Sequence, residues 1–241
     1  MKNIILLLTF VVLTVIFYFN PLSVSNDSAT LFLTVSTFIF AILTGFFIAR
    51  QNERHNNIRS TIAAYDGNIS SLYRLFGTFG KKIQNKAGNI MKAHYNKILE
   101  THQWDYHFTH KSDTISKLGN LLVEAGGNKN MPSIKNETAS IMLGNLSSLQ
   151  QERKHMVAQH VERMPVGEWV LVIFLTLLLL VSLLLVPTEG LWIDSIMKGV
   201  FGTLIVLVVY LLHELDNLVL FEKTLGESSA KDILDIIAGK R

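Results

Sequence analysis

The chain has 241 residues, 49% of them apolar, with a net charge of +3 and no cysteine. The apolar residues gather in two blocks near the chain ends instead of spreading as a soluble core requires, which excludes an ordinary soluble domain. So small a charge gives no ground for a nucleic-acid partner, and the missing cysteines exclude disulfides, thiolate nucleophiles and cysteine zinc sites.

A bilayer core about 30 Å thick needs roughly 20 mostly apolar helical residues. The segment from Ile4 to Phe19 approaches that length, and Thr30 to Ala49 meets it. The run after Met1-Lys2-Asn3 also invites comparison with a cleaved signal peptide. It is long for such a segment, and no A-x-A-type site follows it cleanly, so it is expected to remain as a first span.

The second span continues past the membrane in sequence pattern. Ile58, Ile62, Tyr65, Ile69, Leu72, Phe76 and Phe79 alternate steps of four and three, which is a heptad apolar seam. The same register runs backward through His55, Gln51, Ile48, Thr44, Ala41, Thr37, Thr34 and Thr30. One long helix is therefore predicted, with Gly67 costing it about 1 kcal/mol relative to Ala and marking a bend.

Further helices follow. Ile83, Ala87, Ile90, His94 and Ile98 share one face. Asp113 is placed to cap a helix bearing Ile115, Leu118, Leu122 and Ala125, with Gly126 at its end. Residues 126–132 read as a loop. Ile134, Ile141, Leu149 and Met156 predict a long return helix that stops at Pro165 and Gly167. The third span, Trp169 to Val186, and the fourth, Leu191 to Leu212, close the apolar set. Lys198 is the internal basic charge of these spans and is expected to snorkel. A last amphipathic helix, Ala230 to Ala238, is expected to use Ser228 or Ser229 as its cap and Ile233, Leu234, Ile236 and Ile237 as its apolar face.

Charge sets the orientation. Of the 22 Lys and Arg, 16 lie between Arg50 and Arg163, and the connections from Asn20 to Ala29 and from Pro187 to Asp194 hold none. Excess Lys and Arg mark the cytoplasmic side. The fold class is thus all-α: a polytopic membrane protein with four transmembrane helices and a cytoplasmic helical bundle between the second and third. Residues 1–50 hold spans one and two, 51–167 the cytoplasmic region, 168–213 spans three and four, and 214–241 a cytoplasmic tail. The expected setting is a cell membrane, crossed several times, with both termini in the cytoplasm.

Three places carry candidate chemistry. The stretch from His102 to His110 holds three histidines and Asp105, potential metal ligands, but no second cluster completes a tetrahedral site. An aromatic-rich elbow is the expectation there, with no metal and no cofactor. His213, Glu214 and Asp216 follow the fourth span; they suit a cation or an inter-subunit contact, or form a solvated helix end. In the second span Thr30, Thr34, Thr37, Ala41 and Thr44 form a hydroxyl-rich stripe, beside a bulky one of Phe38, Ile42 and Phe46. Ala41, Gly45 and Ala49 give small-xxx-small spacing. Such a helix either lines a pore or packs closely against neighbours. No P-loop, GxSxG, HExxH or dinucleotide fingerprint is present, so no enzyme is expected.

Two segments carry a resemblance: Gly45-Phe46-Phe47-Ile48-Ala49-Arg50-Gln51-Asn52-Glu53-Arg54 with Ile58-Arg59 after it, and Leu212-His213-Glu214-Leu215-Asp216-Asn217. With the span layout, these resemble the bestrophins, and more closely the bestrophin-like membrane proteins of bacteria. No run of consecutive acidic residues follows the last span, so the resemblance implies no calcium clasp. It implies a homo-oligomeric, pentameric anion channel in a bacterial inner membrane, with small ions and the lipid bilayer as partners. Thr34, Thr37, Phe38, Ala41, Ile42, Thr44 and Phe46 would then line or narrow the pore. The rival expectations are a non-conducting membrane scaffold or sensor that docks a cytoplasmic partner, and a membrane enzyme.

Overall fold

The computed structural model describes residues 2–19, 26–126, 133–186, 191–218 and 225–240. The described residues are helical apart from short connections, with no strand among them. The helices are α1 (Lys2–Phe19), α2 (Asn26–Phe76), α3 (Lys81–Thr101), the single turn α4 (Tyr106–Thr109), α5 (Thr114–Gly126), α6 (Ser133–Val161), α7 (Val166–Leu185), α8 (Leu191–Asp216) and α9 (Leu225–Ile237). A 3-10 turn, Gly77–Phe79, ends α2, and Gly80 at φ +108° turns the chain into α3, a conformation that favours glycine. The chain divides into two units, one of Met1–Glu53 with Arg163–Asn217, the other of Arg54–Glu162 with Leu218–Arg241.

Among the described residues three helices are long and apolar enough to cross a membrane: α2, whose apolar part lies in the first unit, and α7 and α8 of the same unit. The apolar stretch of α1 among the described residues, Leu6–Phe19, is shorter. Their shared core is Phe17, Phe40, Leu175, Leu179, Leu183 and Ile205. In membranes, close packing replaces the hydrophobic effect as the cohesive term, and small residues let backbones approach. α8 uses Gly199 and Gly202 in this way. A Cβ on Gly199 would sit 2.1 Å from Thr14 Oγ1 and 3.3 Å from Thr14 Cα, and one on Gly202 would sit 3.0 Å from Leu13 Cδ1. Lys198, one residue before, donates to the Val186 carbonyl at 2.5 Å, where α7 ends. Its charge thus meets the negative end of a helix dipole.

In α2 the predicted seam points inward, with Ile62 and Phe79 half-buried. Ile58, Ile69, Leu72 and Phe76 are fully buried, and Tyr65 nearly so. Traced backward, the seam departs from the expected register by one residue. His55, Gln51 and Thr44 are buried, but then Phe47, Phe40, Ser36 and Ala29 are buried in place of Ile48, Ala41, Thr37 and Thr30. A straight helix drifts by about 20° per heptad against a strict seven-residue repeat, so the buried line slides by more than half of the roughly 100° between residues within three heptads and by a full residue over about five. The helix also runs unbroken through Gly67.

The second unit is built around Ile69, Leu72 and Phe76 of α2, Met91 of α3, Leu118 and Leu122 of α5, Met142 and Leu149 of α6, and Ile233 and Ile237 of α9. In α6 the expected Ile141 is 51% exposed, while Met142 is buried. Three consecutive apolar residues, 141–143, leave the helical phase ambiguous. Ile134 lies where no side chain is described, and residues 127–132 of the expected loop lie outside the described residues. Asp113 does not cap α5 with its side chain. Its carbonyl accepts from Lys117 N at 2.8 Å, while its carboxylate pairs with Lys117 Nζ at 2.8 Å, which holds its pKa below the usual carboxylate range. Nor do Ser228 and Ser229 begin α9, which starts at Leu225. Ser229 Oγ instead donates to Asp66 Oδ2, and Tyr95 OH donates to Asp66 Oδ1, so one carboxylate joins α2, α3 and α9. Buried Arg54 donates from Nε to Gln159 O at 2.8 Å and from Nη2 to His160 O at 3.1 Å, satisfying carbonyls in the last turn of α6.

His94 and His107 stack face to face, ring centres 3.6 Å apart and planes 13° apart. His107 Nε2 donates to His94 O at 2.8 Å, and His94 Nδ1 meets Thr114 Oγ1 at 3.0 Å. Burial holds His94 well below the ordinary histidine range, helped by His107, and burial likewise lowers His107.

Two predictions follow from this packing. Gly199→Leu should destabilise the purified protein by about 1–3 kcal/mol through overpacking. Gly67→Ala, with open space around the new Cβ, should stabilise it by about 0.5–1 kcal/mol. Thermal unfolding in detergent reads both, and equal melting of Gly199→Leu and wild type would show that α1 and α8 do not depend on this contact. The second concerns pH. Unfolded histidines titrate near pH 6.5, and the folded pair titrates lower. Below about pH 6.5 the unfolded chain therefore binds more protons, and stability falls as pH falls. His94→Phe keeps the ring and loses the hydrogen bond, so it should cost about 1 kcal/mol at neutral pH yet flatten the acid decline. A decline as steep as in wild type would assign the acid sensitivity elsewhere.

Candidate functional site

Of the three long apolar helices, α2 is the least covered: 22% of its apolar window is buried, against 33% in α7 and 28% in α8. Its open side carries the bulky stripe. Phe38, Ile42 and Phe46 are 66%, 54% and 62% exposed. Ala41, Gly45 and Ala49 are exposed as well, and a Cβ on Gly45 would meet nothing within 4 Å. The spacing i, i+4, i+8 sets the three bulky side chains one helical turn apart along one face.

The threonines do not form one surface. Thr34 is exposed, Thr37 half-buried and Thr44 buried. Each hydroxyl donates to the carbonyl four residues earlier: Thr34 to Thr30 O at 2.8 Å, Thr37 to Leu33 O at 2.7 Å, Thr44 to Phe40 O at 2.5 Å. Thr44 belongs to the interior beside Phe40 and Phe47, and Thr34 to the open side.

At the C-terminal end of α8, Asp216 is buried and already engaged. Oδ1 accepts from Met164 N at 2.7 Å, and Oδ2 accepts from Trp169 Nε1 at 3.2 Å. The carboxylate thereby holds the turn that enters α7. Beside it, Arg50 of α2 makes a two-pronged pair with Glu168 in the first turn of α7: Nη1 donates to Oε1 at 2.8 Å and Nη2 to Oε2. Such forked pairing fixes orientation as well as charge. His213 is exposed, its ring edge-on to Trp169 at 5.8 Å, with Asn217 Nδ2 donating to its carbonyl at 2.9 Å. Glu214 is buried. No group of three or more potential metal ligands occurs among the described residues.

The His102 to His110 stretch forms an elbow of short turns around α4. His102 closes α3 in a left-handed conformation, φ 55°, and its Nδ1 lies 2.8 Å from Glu227 Oε1. Asp105 pairs with His160 at 2.9 Å, His107 is stacked on His94, and His110 stacks on Tyr106 with ring centres 4.4 Å apart. The potential ligands thus point to different partners.

Sequence reasoning singled out the bulky stripe and the acidic end of α8, but missed the Arg50–Glu168 fork and the Trp169 indole on Asp216. A basic residue and an acidic one 118 positions apart give no local signal. Asp216→Ala would leave a buried amide and an indole N–H without acceptors, at a cost of roughly 1–3 kcal/mol. Asp216→Asn should recover part of it. Thermal unfolding of both variants checks this, and a neutral Asp216→Ala would show that the α7 turn is held by other contacts.

Comparison with curated proteins and with solved structures finds no match. A family model described as the Bestrophin-like domain matches residues 3–218, which takes in α1 through α8 and both acidic and bulky features described above. The chain is a member of the Bestrophin-like family.

Proposed function

We propose that this protein is a homo-oligomeric anion channel of the cell membrane, with α2 of each subunit facing a shared axis. One observation carries the reading: the row Phe38, Ile42, Phe46 lies uncovered on the least covered of the apolar helices. A single subunit has too few polar residues in its apolar helices to enclose an aqueous path, so a pore requires several copies. The resemblance to bestrophins supplies the number, five, and the arrangement, because bestrophins narrow their pores with bulky apolar side chains one turn apart on this helix. Hydrophobic constrictions of that kind gate by dewetting. Within this reading Thr34 and Ala41 border the path, Thr37 lies at its edge, and Thr44 supports the helix from behind.

The reading includes four spans. The 18 residues of α1 would reach about 27 Å at 1.5 Å each, close to the hydrocarbon thickness, and α1 packs on α8 at Gly199 and Gly202. The Lys and Arg distribution then sets both termini and residues 51–167 in the cytoplasm. At the end of α8, exposed His213 is the residue of the His213, Glu214, Asp216 group best placed to meet another subunit.

The absence of cysteine makes this testable without background. Single cysteines at Phe38, Ile42 and Phe46 should react with a charged thiol reagent in liposomes, whereas one at Thr44 should resist. Phe46→Ala should raise chloride flux several-fold over wild type. Mass measurement in detergent should give a multiple of the 27.1 kDa chain. A monomeric mass, or flux absent from wild type and Phe46→Ala alike, would sink the channel reading and favour the non-conducting scaffold.

A further inference from the structure

The second unit holds an open cleft of about 510 Å³ between α3, the α4 elbow and the start of α5. That is within the size range of small-molecule sites. Three lysines from three different segments line it: Lys97 of α3, Lys111 of the connection, and Lys117 of α5. Asp113 is the one carboxylate among its lining residues. The cleft therefore carries an excess of two positive charges with His94 and His107 neutral.

The lysines are not held tightly by the protein. Lys97 reaches Glu100 at 3.5 Å, a pair in which both side chains are largely solvated. Lys117 pairs with Asp113 on the exposed rim. Lys111 has no ion-pair partner among the described residues. Exposed pairs of this kind contribute little and yield readily to a stronger anion.

The cleft also supplies neutral donors. The first turn of α5 begins at its wall, and the amides of that turn have no intrahelical acceptor. Asp113, the residue placed to cap them, has its carboxylate on Lys117 instead. Ser112 Oγ lies 3.2 Å from Thr114 Oγ1 on the same wall, so a hydroxyl pair flanks the helix start. Ammonium groups, open first-turn amides and hydroxyls form the donor set that phosphate oxygens use. Tyr106 already has His110 stacked on it at 4.4 Å and the Lys97 ammonium 5.7 Å from its ring centre, so no free aromatic face is offered to a base.

From these features we infer that this cleft binds a small polyanion bearing phosphoryl groups. The phosphoryl group belongs either to a soluble phosphate compound or to a lipid headgroup. The inference stands independently of channel activity, since all its residues lie in the second unit.

The test uses the full chain in nanodiscs of phosphatidylcholine, a lipid with no net charge, at low ionic strength, with pyrophosphate as the probe in titration calorimetry. Saturable binding is expected, and it should weaken at least tenfold in Lys111→Glu and several-fold in the milder Lys111→Gln. Lys240→Glu, at the far end of the chain, should bind as wild type does. Repeating the titration in nanodiscs containing phosphatidylglycerol separates the sources: competition identifies the headgroup, and unchanged affinity a soluble compound. Circular dichroism melts confirm that the Lys111 variants remain folded, which the exposure of Lys111 leads one to expect. No saturable pyrophosphate binding by wild type, or equal binding by folded Lys111→Glu, overturns the inference.

Discussion

A peptide group in hydrocarbon has no water to pair with, so its N–H and C=O must be satisfied within its own helix. In the apolar part of α2 that requirement is met by an unbroken hydrogen-bond ladder, which runs on within the 51-residue helix Asn26–Phe76. The ladder fixes the direction of every side chain relative to the next by about 100°. Within the first unit this sets Phe40 and Phe47 on the buried side of the helix, and within the second unit it does the same for Ile69 and Leu72.

How legible this was depends on what kind of signal each element carries. The seam from Ile58 to Phe76 could be read because polar residues separate its apolar ones. Within the apolar part of α2 the same pattern misses by one residue, since the uncovered and the core-facing side chains are equally apolar there. Only the drift between 3.5 and 3.6 residues per turn decides that the buried line passes through Phe40 and not Ala41. The phase of α6 was lost for a related reason: Ile141, Met142 and Leu143 are adjacent, and contact with α5 chooses among them. Ser suits caps, so Ser228 or Ser229 is the expected cap of α9, but a buried carboxylate on another helix claims the Ser229 hydroxyl.

Contacts between distant residues left the least trace. Gly199 and Gly202 are ordinary glycines in sequence, and only the nearness of Thr14 and Leu13 shows why a larger residue would clash. Asp216 is one carboxylate in a short polar segment, yet it secures the start of α7 through Met164 and Trp169. The basic cleft gathers Lys97, Lys111 and Lys117 from positions spread over about 20 residues and three segments, so no motif announces it.

The hydrogen bonds of the α2 threonines constrain what a path along that helix can do. An anion in a narrow space is stabilised by donors pointed at it. The hydroxyl hydrogens of Thr34 and Thr37 are spent on the carbonyls of Thr30 and Leu33. What these side chains offer to the open face is oxygen lone pairs and methyl groups, neither of which holds an anion. Phe38, Ile42 and Phe46 offer none either. Under the proposed arrangement the middle of the path is therefore a barrier whose height depends on width and wetting, not a binding site. Charge preference must then arise where donors and fixed charges are available, beyond the apolar row. Ligand-like recognition of anions belongs, on this account, to parts of the protein that keep ammonium groups and open amides in contact with water, as the lysine cleft of the second unit does.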